Sequence, residues 1–312
     1  MPGNDDAIVM QYENDYDHLF QQQVSRLMPY ARIKTGVRGN MTSFGLLGES
    51  EVSDITGISN GTTDWHDSPS YRRWAAKRDY QDAQKIDQED QLEVLIDLEM
   101  GYAANSAMAM GRQMDKVLIN AVTATAISGA TGTGTAEYST AVRLSDGSVG
   151  NKVALNASGL TPDKMRNALA VLLAREAGLD ELMMGNSPFV WITNPRGHEQ
   201  LMGFSEATTT DYLGVEIRNG QEVTSRMPLV GGRIPFYMGF RILISNLLNL
   251  SGVNYINLAW HRKAMGLAIW GGRFTWAGLL PEHNFARGVA IKEHMGAVRV
   301  HDKGVLSVLC AP

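Results

Sequence analysis

Apolar residues recur three or four positions apart through one long stretch of this chain. Tyr102, Ser106, Met110, Met114, Val117, Ala121 and Thr125 form a narrow stripe, which predicts a helix over about 98–127, roughly 30 residues and about 45 Å long. Asn105, Arg112, Lys116 and Asn120 lie off that stripe, and Ala103, Ala104, Ala107 and Ala109 permit close approach of a sheet. Upstream, Asp87 can cap a helical turn with Asp90 at its third position, where acids suit the positive end. A second helix starts at Thr161 as N-cap with Pro162 first and Asp163 next; Met165, Leu169, Leu172 and Leu173 are its apolar set and Gly178 stops it. Phe189, Val190, Trp191 and Ile192 read as a buried strand, and Asn194-Pro195 opens a short helix to about Gly203.

Elsewhere the pattern is of strands. Residues 31–58 alternate loosely between glycines, Asn60-Gly61 signals a turn, and 70–80 is extended. Together 45–85 reads as a long two-stranded excursion, which is marginal in isolation and needs another chain to lie on. Strands are expected at 241–244, 255–258, 265–270, 289–291, 297–300 and 305–309. There is no internal repeat, and the order arm, hairpin, long helix, mixed region, terminal strands indicates α+β.

Composition narrows the class. The chain has 312 residues, 44% of them hydrophobic, enough to bury one large core or two joined ones. A formal net charge of −5 argues against a broadly basic nucleic-acid binder. Cys310 is the single cysteine, so an internal disulfide and a thiolate metal cluster are excluded, which fits a reducing cytosol. The acidic start has no apolar core and does not read as a signal peptide, and no apolar run is long enough for a membrane helix. Residues 1–20 carry five acids and no Lys or Arg, whereas 21–40 carry Arg26, Arg32, Lys34 and Arg38 and no acid. This opening reads as an arm ordered by contacts with something else.

Catalytic motifs fail on context. Gly57-Ile58-Ser59-Asn60-Gly61 matches the nucleophile-elbow pattern, but 62–69 starts no helix, so Ser59 lacks the frame a hydrolase needs. The glycine loop 129–134 follows a helix, where a phosphate loop must open one. Glu282-His283 and Glu293-His294 lack the one-face spacing of zinc helices. No catalytic residue, cofactor or metal ligand is assigned. Charge layout says more. Arg72, Arg73, Lys77 and Arg78 precede a run of acids, Asp79, Asp82, Asp87, Glu89, Asp90, Glu93, Asp97 and Glu99. Segregated charge of this kind offers complementary faces to a second copy.

Several runs carry a family resemblance. They are 68–73 (Ser-Pro-Ser-Tyr-Arg-Arg), 86–90 (Ile-Asp-Gln-Glu-Asp), 102–104, 107–115, 260–268 (Trp-His-Arg-Lys-Ala-Met-Gly-Leu-Ala) and 296–300 (Gly-Ala-Val-Arg-Val). In these the chain resembles the major capsid proteins of tailed bacteriophages, with the Hong Kong 97-like fold. The resemblance implies an N-terminal arm (1–44), an extended β-hairpin loop (45–85) and a peripheral domain (86–159) with a spine helix at about 98–127. It further implies an axial domain (160–255) and return strands of the peripheral domain (256–312).

By the same resemblance, copies form pentamers and hexamers of an icosahedral virion shell around double-stranded DNA, held without sequence-specific contacts and without a membrane. Assembly in the host cytoplasm would use a scaffolding protein and a portal, with room for a decoration protein. No long charged helix precedes the arm, so a separate scaffolding protein is expected. On this reading Trp65, Arg72, Arg73, Trp74, Lys77 and Arg78 of the loop meet a neighbour, because Trp and Arg dominate interfaces. Asp87, Glu89, Asp90 and Glu93 form the acidic partner face. Arg196, His198 and Asp211 contact copies around the axis. The alternatives are a cellular encapsulating shell of the same fold and a serine hydrolase using Ser59.

Overall fold

The computed structural model describes residues 20–50, 52, 65, 67–87, 98–138, 152–153, 159–175, 177, 179–184, 188–204, 215–218, 221–224 and 234–311. In chain order the strands are β1 (Arg32–Val37), β2 (Met41–Leu47), β3 (Ser70–Ala76), β4 (Arg78–Ile86), β5 (Ala126–Ser128), β6 (Gly134–Ala136) and β7 (Lys152–Val153). They continue with β8 (Phe189–Thr193), β9 (Val215–Arg218), β10 (Gln221–Thr224), β11 (Phe236–Tyr237), β12 (Phe240–Ile244) and β13 (Leu250–Ser251). The last four are β14 (Asn254–His261), β15 (Met265–Leu280), β16 (Ala286–Arg299) and β17 (Val305–Cys310). The helices are α1 (Leu98–Thr123), α2 (Pro162–Ala174), α3 (Leu179–Met183) and α4 (Pro195–Met202).

Strand alternation decides where the cores sit. β8 is buried on both faces. Phe189 and Trp191 turn to a core shared with Met165 and Leu172 of α2 and Leu201 of α4. Val190 and Ile192 turn to a second core with Met114, Leu118 and Val122 of α1, as a period of two requires. β8 lies in a seven-stranded sheet ordered β11-β12-β8-β14-β17-β7, with β13 on β14. Both helix starts follow the sequence signals. The Thr161 hydroxyl accepts from Lys164 N and the Asn194 side chain from Gly197 N, each with Pro in the first turn.

A second sheet, ordered β1-β15-β16-β4, lies along α1. The inner half of β15 is sandwiched. Met265, Leu267 and Ile269 join the α1 core, while Ala268 and Trp270 meet Phe44 of a third sheet, β2-β3-β5-β6. β9 and β10 form a separate two-stranded pair.

Three expectations change. The helix ends at Thr123 rather than about 127, because Ala126–Ser128 pairs with β3, through Trp74↔Ile127 and Arg73↔Ser128. The extended segment 70–80 is two strands in two sheets, parted at Lys77, whose N–H donates to Asn40 O (2.9 Å). The terminal strands also divide: β14 and β17 complete the seven-stranded sheet beside β8, while β15 and β16 make a long hairpin against α1.

Candidate assembly surfaces

The described base of the two-stranded excursion is the antiparallel pair β2–β3, from Met41↔Ala76 to Leu47↔Ser70. It is rooted in its own subunit. Phe44 is fully buried, and its ring lies so close over Gly266 that a Cβ there would come within 2.8 Å. Lys34 bonds Ser43 O and sets its ammonium 4.7 Å from the Phe44 ring centroid. Beyond this root the ribbon turns apolar groups to solvent: Leu47, Val52 and Tyr71 are exposed, and Trp65 is 88% exposed.

The basic residues of the ribbon divide by role. Arg73 pairs with Asp302 at 2.5 Å, both side chains mostly covered. Trp74 is half-buried and donates Nε1–H to Gly129 O at 2.8 Å. These two fasten the ribbon to its own chain. Arg72 and Arg78 are exposed, and Lys77 makes a surface pair with Asp79 at 3.3 Å. Asp87 pairs with Lys85 at 2.8 Å. Glu89, Asp90, Glu93, Asp211 and Ser59 lie outside the described residues.

Of the axial candidates, Arg196 is exposed on α4. His198 is 3% exposed, and its Nε2 accepts from Ile234 N at 3.0 Å. The imidazole is therefore enclosed by its own subunit and offers nothing to a neighbour. Its spacing three residues before buried Leu201 carried that signal. Cys310 is buried beside Asn257, and burial raises its thiol pKa, keeping it protonated and unreactive.

Two anchoring residues had no local signal. Asp115, in the middle of α1, accepts from Ser25 Oγ, Arg26 N, Leu27 N and Gln22 Nε2, and so holds the incoming arm. Arg112 adds bonds to Gln21 Oε1 and Gln22 O, and Gln21 donates to Asn105. Residues 21–27 of the arm thus lie on their own helix. Arg299, at the end of β16, donates to carbonyls of Val122, Ala124 and Ala136 and to Asp302.

The passage from β14 to β15 holds an ionic cluster. His261 Nδ1 accepts from Lys263 N at 3.1 Å, so Nε2 carries the proton donated to Glu181 of α3 at 2.9 Å. Lys263 also bonds Glu181, which holds that carboxyl below its ordinary range. Burial pulls the His261 pKa down, only partly opposed by Glu181. The unfolded chain therefore takes up the proton first, from about pH 6.5 downward. Stability from this group is complete above that pH and is lost as pH falls toward the folded pKa. Thermal melts between pH 7.5 and 5 should show a steeper acid loss for the wild type than for His261→Gln; parallel curves would deny the contribution.

The comparisons agree with this architecture. The family model described as phage capsid protein matches residues 5–312. Among solved structures, the capsid of Ralstonia phage GP4 aligns with a TM-score of 0.71 at 10% identity, covering 98% of this chain and 96% of that one. The capsid of a native GTA particle gives 0.69 at 13%, covering 99% and 97%. The cyanophage P-SCSP1u capsid gives 0.67 at 13%, covering 98% and 94%. No curated protein sequence matches the chain. Among the described residues no helix is long and apolar enough to cross a membrane. With nearly its whole length matched, the chain belongs to the phage capsid protein family and has the Hong Kong 97-like fold.

Proposed function

We propose that this chain is the major capsid protein of a tailed phage, whose copies form pentamers and hexamers that close into an icosahedral shell around double-stranded DNA. The observation that carries the reading is the β2–β3 ribbon: its root is locked to its own sheet through Phe44 and Arg73, while Leu47, Trp65 and Tyr71 face solvent. Large apolar side chains at such a position cost free energy while they face water, and covering them with another surface is favourable. A neighbouring copy supplies that surface, with exposed Arg72 and Arg78 steering toward the acidic stretch around Asp87, Glu89, Asp90 and Glu93.

In this scheme α1 with β4, β15 and β16 is the peripheral domain. The seven-stranded sheet with α2 and α4 is the axial domain, presenting Arg196 near the symmetry axis. The function is association, with no reaction to catalyse. A scaffolding protein and a portal would set shell size and the entry vertex. With a net charge of −5, the shell encloses DNA without gripping it.

Replacing residues 53–64 by a short Gly-Ser linker spares β2 and β3. The expected result is a folded, soluble chain that forms no closed particles in electron micrographs, where the full chain forms shells. Intact shells from the deletion would refute the ribbon's role. A stable monomer of 34.2 kDa from the full chain at high concentration would refute the shell itself.

A further inference from the structure

The outer half of β15 is an open sheet edge. On one side it pairs with β16 along its length, through Leu280↔Ala286. On the other, β1 accompanies it only from Gly266 to Trp270, where a register irregularity intervenes before Phe274. Among the described residues nothing pairs with that side from Gly271 to Leu280. Natural edges are blunted with lysine, proline, shortness or a covering element. This one reads Phe274-Thr275-Trp276-Ala277-Gly278-Leu279-Leu280, with no charge and no proline. Phe274 is 56% exposed and Leu279 58%, on opposite faces.

The side chains on this edge are also pre-organised. Trp276 lies over the facing pair Gly278↔Gly288: a Cβ would stand 2.9 Å from the ring at Gly278 and 3.1 Å at Gly288. An indole held flat on two glycines is a rigid apolar anchor of the kind that dominates interfaces.

We infer that this edge pairs antiparallel with the same edge of a second copy, about a two-fold axis through Ala277. The inference rests on the shell reading, in which every copy carries the edge and the cover must be supplied once per copy; a self-complementary pair does so. This register centres the uncharged run 274–280 on itself, so that Phe274 faces Leu280 and Thr275 faces Leu279. Arg273, at one end of the strand, is already paired with Glu293 of its own β16 at 3.2 Å. The antiparallel sense follows from the two-fold axis itself, which reverses the strand direction between the two copies.

A cysteine scan decides it. In a Cys310→Ala background, Ala277→Cys, Thr275→Cys and Leu279→Cys are assembled, imaged and oxidised. Residue 277 meets its own copy, so Ala277→Cys should give a covalent dimer on a non-reducing gel, at least fivefold above either neighbour. Thr275→Cys co-assembled with Leu279→Cys should restore cross-linking, because these positions face each other. Shells that form but leave Ala277→Cys monomeric would overturn the pairing and leave the shell reading standing. Equal yields at all three positions, or capture of a different protein at 277, would also overturn it. Failure of the unsubstituted chain to form shells would remove the reading on which the inference rests.

Discussion

Arg299→Met is expected to destabilise the chain by about 3–5 kcal/mol, the usual cost of breaking a buried charge network from one side, against a typical total of roughly 5–15 kcal/mol. Arg299 is fully buried. One guanidinium nitrogen donates to Val122 O at 2.9 Å and Ala124 O at 2.7 Å, another to Ala136 O at 3.0 Å. Nε meets Asp302 at 2.5 Å, and the cation sits 5.2 Å from the Tyr138 ring centroid. The helix α1 ends at Thr123, so its last carbonyls lack partners within the helix and carry its negative pole. Arg299 satisfies them from a strand at the far end of the sequence.

Methionine fills much of the volume but leaves three carbonyls without this donor. Asp302 also loses one of its two arginines, keeping only Arg73 at the ribbon root. Arg299→Lys should recover less than half of the loss, since one ammonium cannot span the fork of acceptors. Urea unfolding of unassembled protein reads the effect directly. A methionine variant within about 1 kcal/mol of wild type would mean that water or local movement satisfies these carbonyls. The same network joins α1, β3 and β6, so a damaged base should also lower the yield of closed shells.

These residues mark the boundary of what pattern reading reaches. The long helix, the caps at Thr161 and Asn194 and the strand 189–192 are local signals, and they appear where periodicity and capping chemistry put them. The end of α1 departs from the pattern because apolar spacing continues to Thr125, whereas Ala126–Ser128 is recruited by β3, a partner more than 50 residues away. The buried face of α1 is also broader than the stripe. Leu118, Ile119 and Val122 join it because the last turns are wedged between two sheets. The hairpin from Met265 to Arg299 was seen only as fragments; Gly271 and Gly272 interrupt its alternation, and its outer half is exposed on both faces. Arg299 and Asp115 are single polar residues in apolar elements, and their partners are set by tertiary structure alone. For the ribbon, sequence identified the segment and its aromatic and basic content. It could not divide Arg73 and Trp74, which hold the root, from Arg72 and Trp65, which face outward.

Asp115 carries the second large expectation: Asp115→Ala should release residues 21–27 from the helix and cost about 3 kcal/mol or more. The carboxylate is 1% exposed in the middle of α1, where aspartate is a poor helix former. It is tolerated because Oδ1 accepts from Ser25 Oγ at 2.5 Å and Leu27 N at 3.1 Å, while Oδ2 accepts from Arg26 N at 3.0 Å and from Gln22. Leu27 is itself fully buried among Met114, Leu118 and Trp260. The helix lets the arm come this close at Gly111, where a Cβ would stand 3.1 Å from Ser25 N. Losing the carboxylate strands a buried Leu27 N–H and removes the clamp that keeps its side chain in the core. Asp115→Asn should be nearly as harmful, because its NH2 group would confront donors where an acceptor is required. Trypsin gives a sensitive readout. Cleavage after Arg26 should be slow in the wild type, fast in both variants, and accompanied by faster exchange of the Arg26 and Leu27 amides. Protection equal to wild type in Asp115→Ala would show that Leu27 burial alone retains the arm and that the carboxylate is dispensable.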